Sequence, residues 1–420
     1  MYISLAGFRG PDAGTETQAS TSTGAVRGRV VAFRVAPTVV ALGMVSLLTD
    51  VSSEAVAAVL PLYVTGTLGL SMVAYGFLEG LHQGTSAVVR IAAGYAADRS
   101  DRPKALAMAG YGLSMLTRCG LLLVQGFAGI AVLVGIDRLG KGIRTAPRDA
   151  MIQQVSQPEH LARSFGVHRM LDTIGATIGP LLAFVVLLIV PEGYRVVFAL
   201  SLASALIGVA VLALFVPAVR IGRAPRTTSE VPVSAGLATW SRPLKRLLLA
   251  AGALGLLTVG DGFIYLALMS HGNLAPLWFP LLFVGTNAVF LLLAVPVGRI
   301  ADRTSRGAVL VIGHVFLAAA YLAAAMGSTW IAVVLSLVML GGFYAATDGV
   351  LAALAGQFSA PGRTATGIGA AQTVVAVTRL LASTGFGVLW VLFGPVPTMV
   401  GAAVVLLLVL PVAWWLVTRP

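Results

Sequence analysis

The sequence predicts an all-α membrane protein in which twelve transmembrane helices form two pseudo-symmetric six-helix bundles. Three observations carry that prediction. Hydrophobic residues fill 58% and charged residues only 10% of the 420 positions, against about half and about a quarter in a soluble domain. Apolar runs of about the length needed to cross a hydrocarbon core of ~30 Å recur down the whole chain. A charged signature also repeats, roughly 200 residues apart, at matching places in the two halves.

Taken in order, the apolar runs place helices at about 37–64, 72–96, 104–124, 127–146, 163–189, 196–217, 246–269, 276–298, 307–327, 330–356, 364–392 and 396–417. Residues 1–35 are polar and rich in Gly, Ser and Thr, without the short apolar core of a cleaved signal, and are expected to be a disordered cytoplasmic tail. Pro147 is expected to end the fourth helix, leaving Arg148 and Asp149 in an inner loop. The fifth helix presents Gly175, Gly179 and Pro180, a small-residue face with an expected kink. Residues 218–245 hold Arg220, Arg223, Pro225, Arg226, Arg242 and Lys245 and read as a basic cytoplasmic linker. It separates an N-terminal bundle (36–217) from a C-terminal bundle (246–420).

The formal charge of +12 raises nucleic acid as a partner, so the placement of the cations matters. Of the 28 Lys and Arg residues, 21 fall in or at the edges of the N-terminal tail, the even-numbered connections and the C-terminus, and one, Arg195, in an outer connection. That bias puts both termini in the cytoplasm. The charge is therefore explained by topology and by an anionic inner leaflet, with no nucleic acid. The expected setting is a plasma or inner membrane, crossed many times. The single Cys119 excludes a disulfide framework and a cysteine metal cluster.

GYAADRSDR after the second helix supplies Gly94, Asp98, Arg99 and Arg102, and GRIADRTSR after the eighth supplies Gly298, Asp302, Arg303 and Arg306. A fainter echo aligns Asp149 with Asp348 and Arg163 with Arg363. The first stretch resembles the loop between helices 2 and 3 of the major facilitator superfamily, with Asp101 where that family usually has Gly. RLGKGIRTA in the fourth helix resembles a second family motif, with Lys141 and Arg144 replacing Gln and Gly. In the fifth, Gly166, Gly175, Gly179 and Pro180 are spaced as in the family's proton-coupled antiporters, although Ala183 and Phe184 stand where glycines often close the motif. The resemblance implies two bundles that rock about a central pathway, lined by helices 1, 4, 7 and 10. It also implies gating by the repeated Asp and Arg residues, which can latch one side of the bundle shut.

The candidate residues follow from the cost of charge in lipid. Asp137, Lys141 and Arg144 lie at i, i+4 and i+7, one helical face, with Arg138 beside them. Facing lipid, such a stripe would cost several kcal/mol per charge, so it is expected to line a pathway or pair inside the bundle. Asp50 and Glu54 are four apart on one face of the first helix, at a depth the stripe can reach. The resulting assignment makes Asp50, Glu54 and Asp261 proton-coupling residues. Arg138 is the electrostatic partner of the first two, and Asp137, Arg138, Lys141 and Arg144 are substrate-binding, with Lys141 and Arg144 attracting anionic groups. The bland alternative is mutual ion pairing, since helices also hold Glu79, Asp172 and Asp348. Glu79, Arg90 and Arg118 read as structural, and His82, His168 and His314 as buried histidines with satisfied nitrogens.

GIDRLGKG, residues 135–142, has the Gly and Lys spacing of a phosphate loop but lacks its following Ser/Thr and a preceding strand. No zinc-protease or nucleophile-elbow pattern occurs, so no enzyme, cofactor or metal is expected. The expected function is proton-coupled export of a small organic compound by a monomer. The alternatives are uptake of an anionic nutrient or metal chelate, and a membrane sensor or lipid-handling protein.

Overall fold

The computed structural model describes residues 36–84, 102–157, 160–218, 240–271, 274–327, 329–359 and 364–418. Among them no strand occurs. α1 (Pro37–Leu62) opens on proline, whose missing N–H costs nothing at a helix start, and closes through a wider π-turn at Tyr63–Thr67. The described part of α2 is 72–84, followed by α3 (Pro103–Leu123), α4 (Phe127–Val155), α5 (Leu161–Ile189) and α6 (Tyr194–Phe215). The second half contains α7 (Arg242–Gly255), α8 (Asp261–Met269), α9 (Phe279–Arg303), α10 (Arg306–Ala325), α11 (Trp330–Gln357), α12 (Thr364–Phe393) and α13 (Pro395–Thr418). Local chemistry fixes several starts: the hydroxyls of Ser241, Ser305 and Thr329 accept from the backbone N–H groups of Leu244, Ala308 and Ala332, each satisfying a donor the helix leaves open. Among the described residues, nine helical stretches are long and apolar enough to cross a membrane.

Two elements differ from the sequence expectation. α4 does not stop at Pro147 but runs on to Val155, so Arg148 and Asp149 are helical. Met151 and Ile152 explain it: both are fully buried with Val39, Leu42, Ala107 and Tyr111, and this apolar burial outweighs the one backbone bond that a proline removes. The seventh span, expected as one helix over 246–269, is two helices with a break between Gly255 and Asp261. The Tyr321 hydroxyl, from α10, donates to the Leu257 carbonyl and accepts from the Val259 N–H, both at 3.0 Å. Those bonds supply what the interrupted helix lacks.

The termini define one end of the molecule. There, α1, α3, α4 and α6 enclose a core of their own around Val39, Leu42, Tyr111, Met151 and Leu212, drawn from the N-terminal half alone. A second core joins both halves, from Val59 and Phe198 to Phe263 and Phe279, and runs on through the C-terminal half to Val417. α2 meets α12 along a stripe of Gly76, Gly80 and Gly84. A β-carbon on Gly80 would lie 2.7 Å from the Leu380 carbonyl oxygen, and one on Gly84 3.3 Å from that of Ala376. Farther out, Phe184 of α5 meets Trp278 with ring centres 5.8 Å apart. The two bundles are thus joined at the end away from the termini.

Candidate transport site

The interior of the N-terminal bundle holds charge at two levels of constraint. At the first, Asp137 of α4 is buried between two guanidiniums: Arg118 of α3 donates to Oδ1 at 2.8 Å, and Arg138 donates to Oδ2 at 2.5 Å and again at 3.2 Å. Arg118 also donates to the hydroxyls of Ser52 and Ser53 on α1, both at 3.3 Å, and Ser52 in turn pairs with Ser201 of α6 at 2.8 Å. Four helices are tied to one carboxylate. The approach of α3 to α4 that permits this depends on Gly110 and Gly140, since a β-carbon on either would lie within 2.8 Å of the other's carbonyl oxygen.

The second level lies nearer the termini and is looser. Lys141 of α4 stands 3.9 Å from Asp50 Oδ1 and 3.9 Å from Glu54 Oε1, with the Lys141 and Glu54 side chains 30% and 31% exposed. Those separations exceed the ~2.7–2.9 Å of a direct charge-assisted hydrogen bond. Arg144, buried, is 3.6 Å from Asp50 Oδ1 and lies over the Tyr111 ring at 4.5 Å. Its Nη1 has no hydrogen-bond partner among the described residues. Asp50 also lies in the field of Asp172 on α5, whose carboxylate accepts from Ser46 at 2.7 Å and pairs with Arg169 at 3.4 Å. The arrangement can exchange partners: any one carboxyl can take a proton and leave its cation to another.

The stripe on α4 therefore faces α1 and the bundle interior, but with roles redistributed. Arg138, expected to partner Asp50 and Glu54, is held by Asp137; Lys141 and Arg144 face that acidic pair instead. The reason is helical register, because Lys141 and Arg144 lie one and two turns farther along α4. Asp172 was counted in the sequence without a role. The glycine stripe of α2 was also missed, although its spacing of four is a readable sign of close helix packing. On α5, Gly175 packs on the backbone of Leu47, and a β-carbon on Gly179 would meet Ala55 N at 2.8 Å and Glu54 Cβ at 2.9 Å. Pro180 lies within a continuous α5, and Gly166 has open space around it.

The C-terminal bundle is sparser in charge. Asp261, first residue of α8, accepts a 2.5 Å hydrogen bond from Tyr344 of α11. A small cavity between α7, α10, α11 and α12 is lined by Thr258, His314, Thr347, Asp348 and Arg379; another, beside the Asp137 group, is lined by Ser53, His82, Arg118 and Arg138. His314 Nδ1 meets the Leu310 carbonyl at 2.9 Å, whereas neither ring nitrogen of the buried His168 has a hydrogen-bond partner among the described residues, contrary to expectation. Of the repeated signature, Gly94, Asp98 and Arg99 lie outside the described residues. Asp302 pairs with Arg306 at 2.7 Å across the α9–α10 junction, both exposed; Gly298 has open space around it, and Arg303 is exposed. Among the described residues no group of three His, Cys, Asp or Glu side chains could hold a metal.

Charge held inside one of two helical bundles is the kind of arrangement a membrane transporter uses. The chain belongs to the major facilitator superfamily, whose sequence profile matches residues 42–284. An uncharacterised MFS-type transporter of Methanocaldococcus jannaschii is 29% identical over 355 residues, 83% of this chain and 87% of that one. Among solved structures, the D323A mutant of the nucleoside transporter NupG superposes with a TM-score of 0.77 at 13% identity, over 90% of this chain and 99% of that one. A bacterial homologue of the human lysosomal transporter Spinster, in an inward-facing and unoccupied conformation, gives 0.70 at 15%, over 91% and 96%. At such identities the solved structures show the fold alone. The protein is a multi-pass secondary transporter, and its family and neighbours are transporters, not enzymes.

Proposed function

We propose that the protein exports a small organic compound in exchange for protons by alternating access. Asp50 and Glu54 are the proton carriers, Lys141 and Arg144 the cations that hold them when ionised, and Asp261 a further coupling residue. The observation that carries this reading is the looseness of the Lys141 group, a cation shared between two carboxylates at 3.9 Å each where water can enter. Burial disfavours an ionised carboxyl and a nearby cation favours it, so parting or joining the bundles changes which groups keep a proton. The fixed Asp137 group holds the scaffold against which that exchange occurs, and the cavity beside it offers Arg138 to substrate.

The spacing of Gly175, Gly179 and Pro180 favours antiport, and Gly179 lies directly on Glu54, which couples the packing of α5 on α1 to a proton carrier. The bias of basic residues supports a cytoplasmic location for both termini, and on that reading the joined end faces outward. The division into 36–217 and 246–420, the single-chain pathway and the gating role of the repeated Asp and Arg residues belong to this same reading.

Everted membrane vesicles, acidified inside by respiration and followed with a pH-sensitive dye, test it. The compounds are those that slow growth more in cells lacking the protein than in cells making it. Export by antiport predicts that each compound dissipates the proton gradient, and that Asp50→Asn with Glu54→Gln abolishes the response. An unchanged response in that double variant would remove the coupling assignment. A second reading, uptake of an anionic nutrient or metal chelate, is favoured by the unpartnered Nη1 of Arg144. It predicts entry of the compound together with protons in right-side-out vesicles.

A further inference from the structure

Glu79 of α2 stands against the break in the seventh span. Its side chain packs on Gly260, where a β-carbon would lie 2.6 Å from Glu79 Cγ and Cδ and would push the carboxyl aside. The next residue is Asp261. Each acid is fixed by its own bundle: Gln83 donates to Glu79 Oε1 at 3.1 Å and the Tyr75 hydroxyl lies 3.5 Å from Oε2, while Tyr344 donates to Asp261. Around them the seam is aromatic, with the Tyr75 and Phe263 rings tilted at 4.9 Å between centres and Phe263 edge-on to Phe386 at 5.0 Å. Two acidic residues from opposite bundles thus lie close together where the bundles are joined, Glu79 against Gly260 and Asp261 next to that glycine in the chain. The other charged or titratable groups that act on the pair are Arg138 of α4, Arg379 of α12, Tyr75 of α2, Tyr265 of α8, and Tyr344 and Asp348 of α11. Arg138 is already bound to Asp137.

Like charges side by side in an aromatic seam repel, whereas a single proton removes one of the two charges. The geometry points to Glu79 and Asp261 as an acid pair between the bundles that keeps the joined end shut only while it carries a proton. Opening that end ionises the pair and delivers the proton to the water that enters; closing takes one up. This deepens the transport reading, on which it rests for the premise that the bundles part and rejoin. It gives Glu79 a part in coupling, separate from the Asp50 group.

Double electron–electron resonance tests it without any substrate. Spin labels at Thr67 and Leu392, both exposed near the joined end, would be introduced into the full chain carrying Cys119→Ser, in lipid nanodiscs between pH 5 and pH 9. Acid should give the short distance, because the protonated pair holds; alkali should raise the long-distance fraction at least fivefold. Glu79→Gln and Asp261→Asn, made separately, should each keep the short distance throughout, since one remaining charge has nothing to repel. Wild type insensitive to pH, or both variants titrating as wild type does, would overturn the pair. Neither result bears on Asp50 and Glu54, which the vesicle experiment tests independently.

Discussion

In the N-terminal bundle, α1, α3, α4 and α5 meet over carboxylates and cations; in the C-terminal bundle, α8, α9, α10 and α11 meet over tyrosines. Tyr265 bonds Thr286 at 2.7 Å, Tyr321 bridges the break in the seventh span, and Tyr344 holds Asp261. A tyrosine hydroxyl with a neutral partner fixes shape and carries no exchangeable charge near neutral pH. Ion pairs are different, since each can be traded for a proton or a substrate group. Among the described residues, one half of the molecule therefore holds most of the paired interior charge and the other most of the neutral tyrosine bonds, a division that the approximate sequence repeat conceals.

That contrast can be broken from its strongest point downward. Asp137→Ala leaves Arg118 and Arg138 buried without their carboxylate, and removing one partner of a buried pair costs about 3–5 kcal/mol. Thermal unfolding in detergent should show the largest loss of any substitution considered, and an unshifted transition would mean that the brace contributes little. On the tyrosine side, Tyr321→Phe leaves the Leu257 carbonyl and the Val259 N–H unsatisfied, at about 1–3 kcal/mol each; hydrogen exchange should speed up first around 256–260. Gly179→Ala forces α5 away from α1, with an overpacking cost of about 1–3 kcal/mol and a fall in coupled flux through the displaced Glu54. Asp302→Asn breaks an exposed pair 66% and 37% open to solvent and should change stability by less than about 1 kcal/mol. A large effect there would move part of the latch to the C-terminal half.

The fold was legible because lipid imposes a simple requirement: each crossing must be a long apolar helix. The break in the seventh span was not, because LGLLTVGDG stays apolar across it and the hydroxyl that stabilises it comes from Tyr321, more than 60 residues away. α4 likewise misled, as Pro147 is a local stop signal while the burial of Met151 and Ile152 is a tertiary effect. At the site, the spacing of Asp50 with Glu54 and of Asp137 with Lys141 and Arg144 was readable as helical faces. Partner choice was not, since it turns on the rotation of α3, which brings Arg118 to Asp137, and of α5, which brings Asp172 to Asp50. Sequence spacing reports which residues share a face, not which face is presented.

α4 continues for about 27 Å from Asp137 to Val155, with its tip seated by Met151 and Ile152. A rod of that kind is a lever. Any sideways displacement of that tip would be carried along the helix to Lys141, whose ammonium stands 3.9 Å from each of two acids on α1.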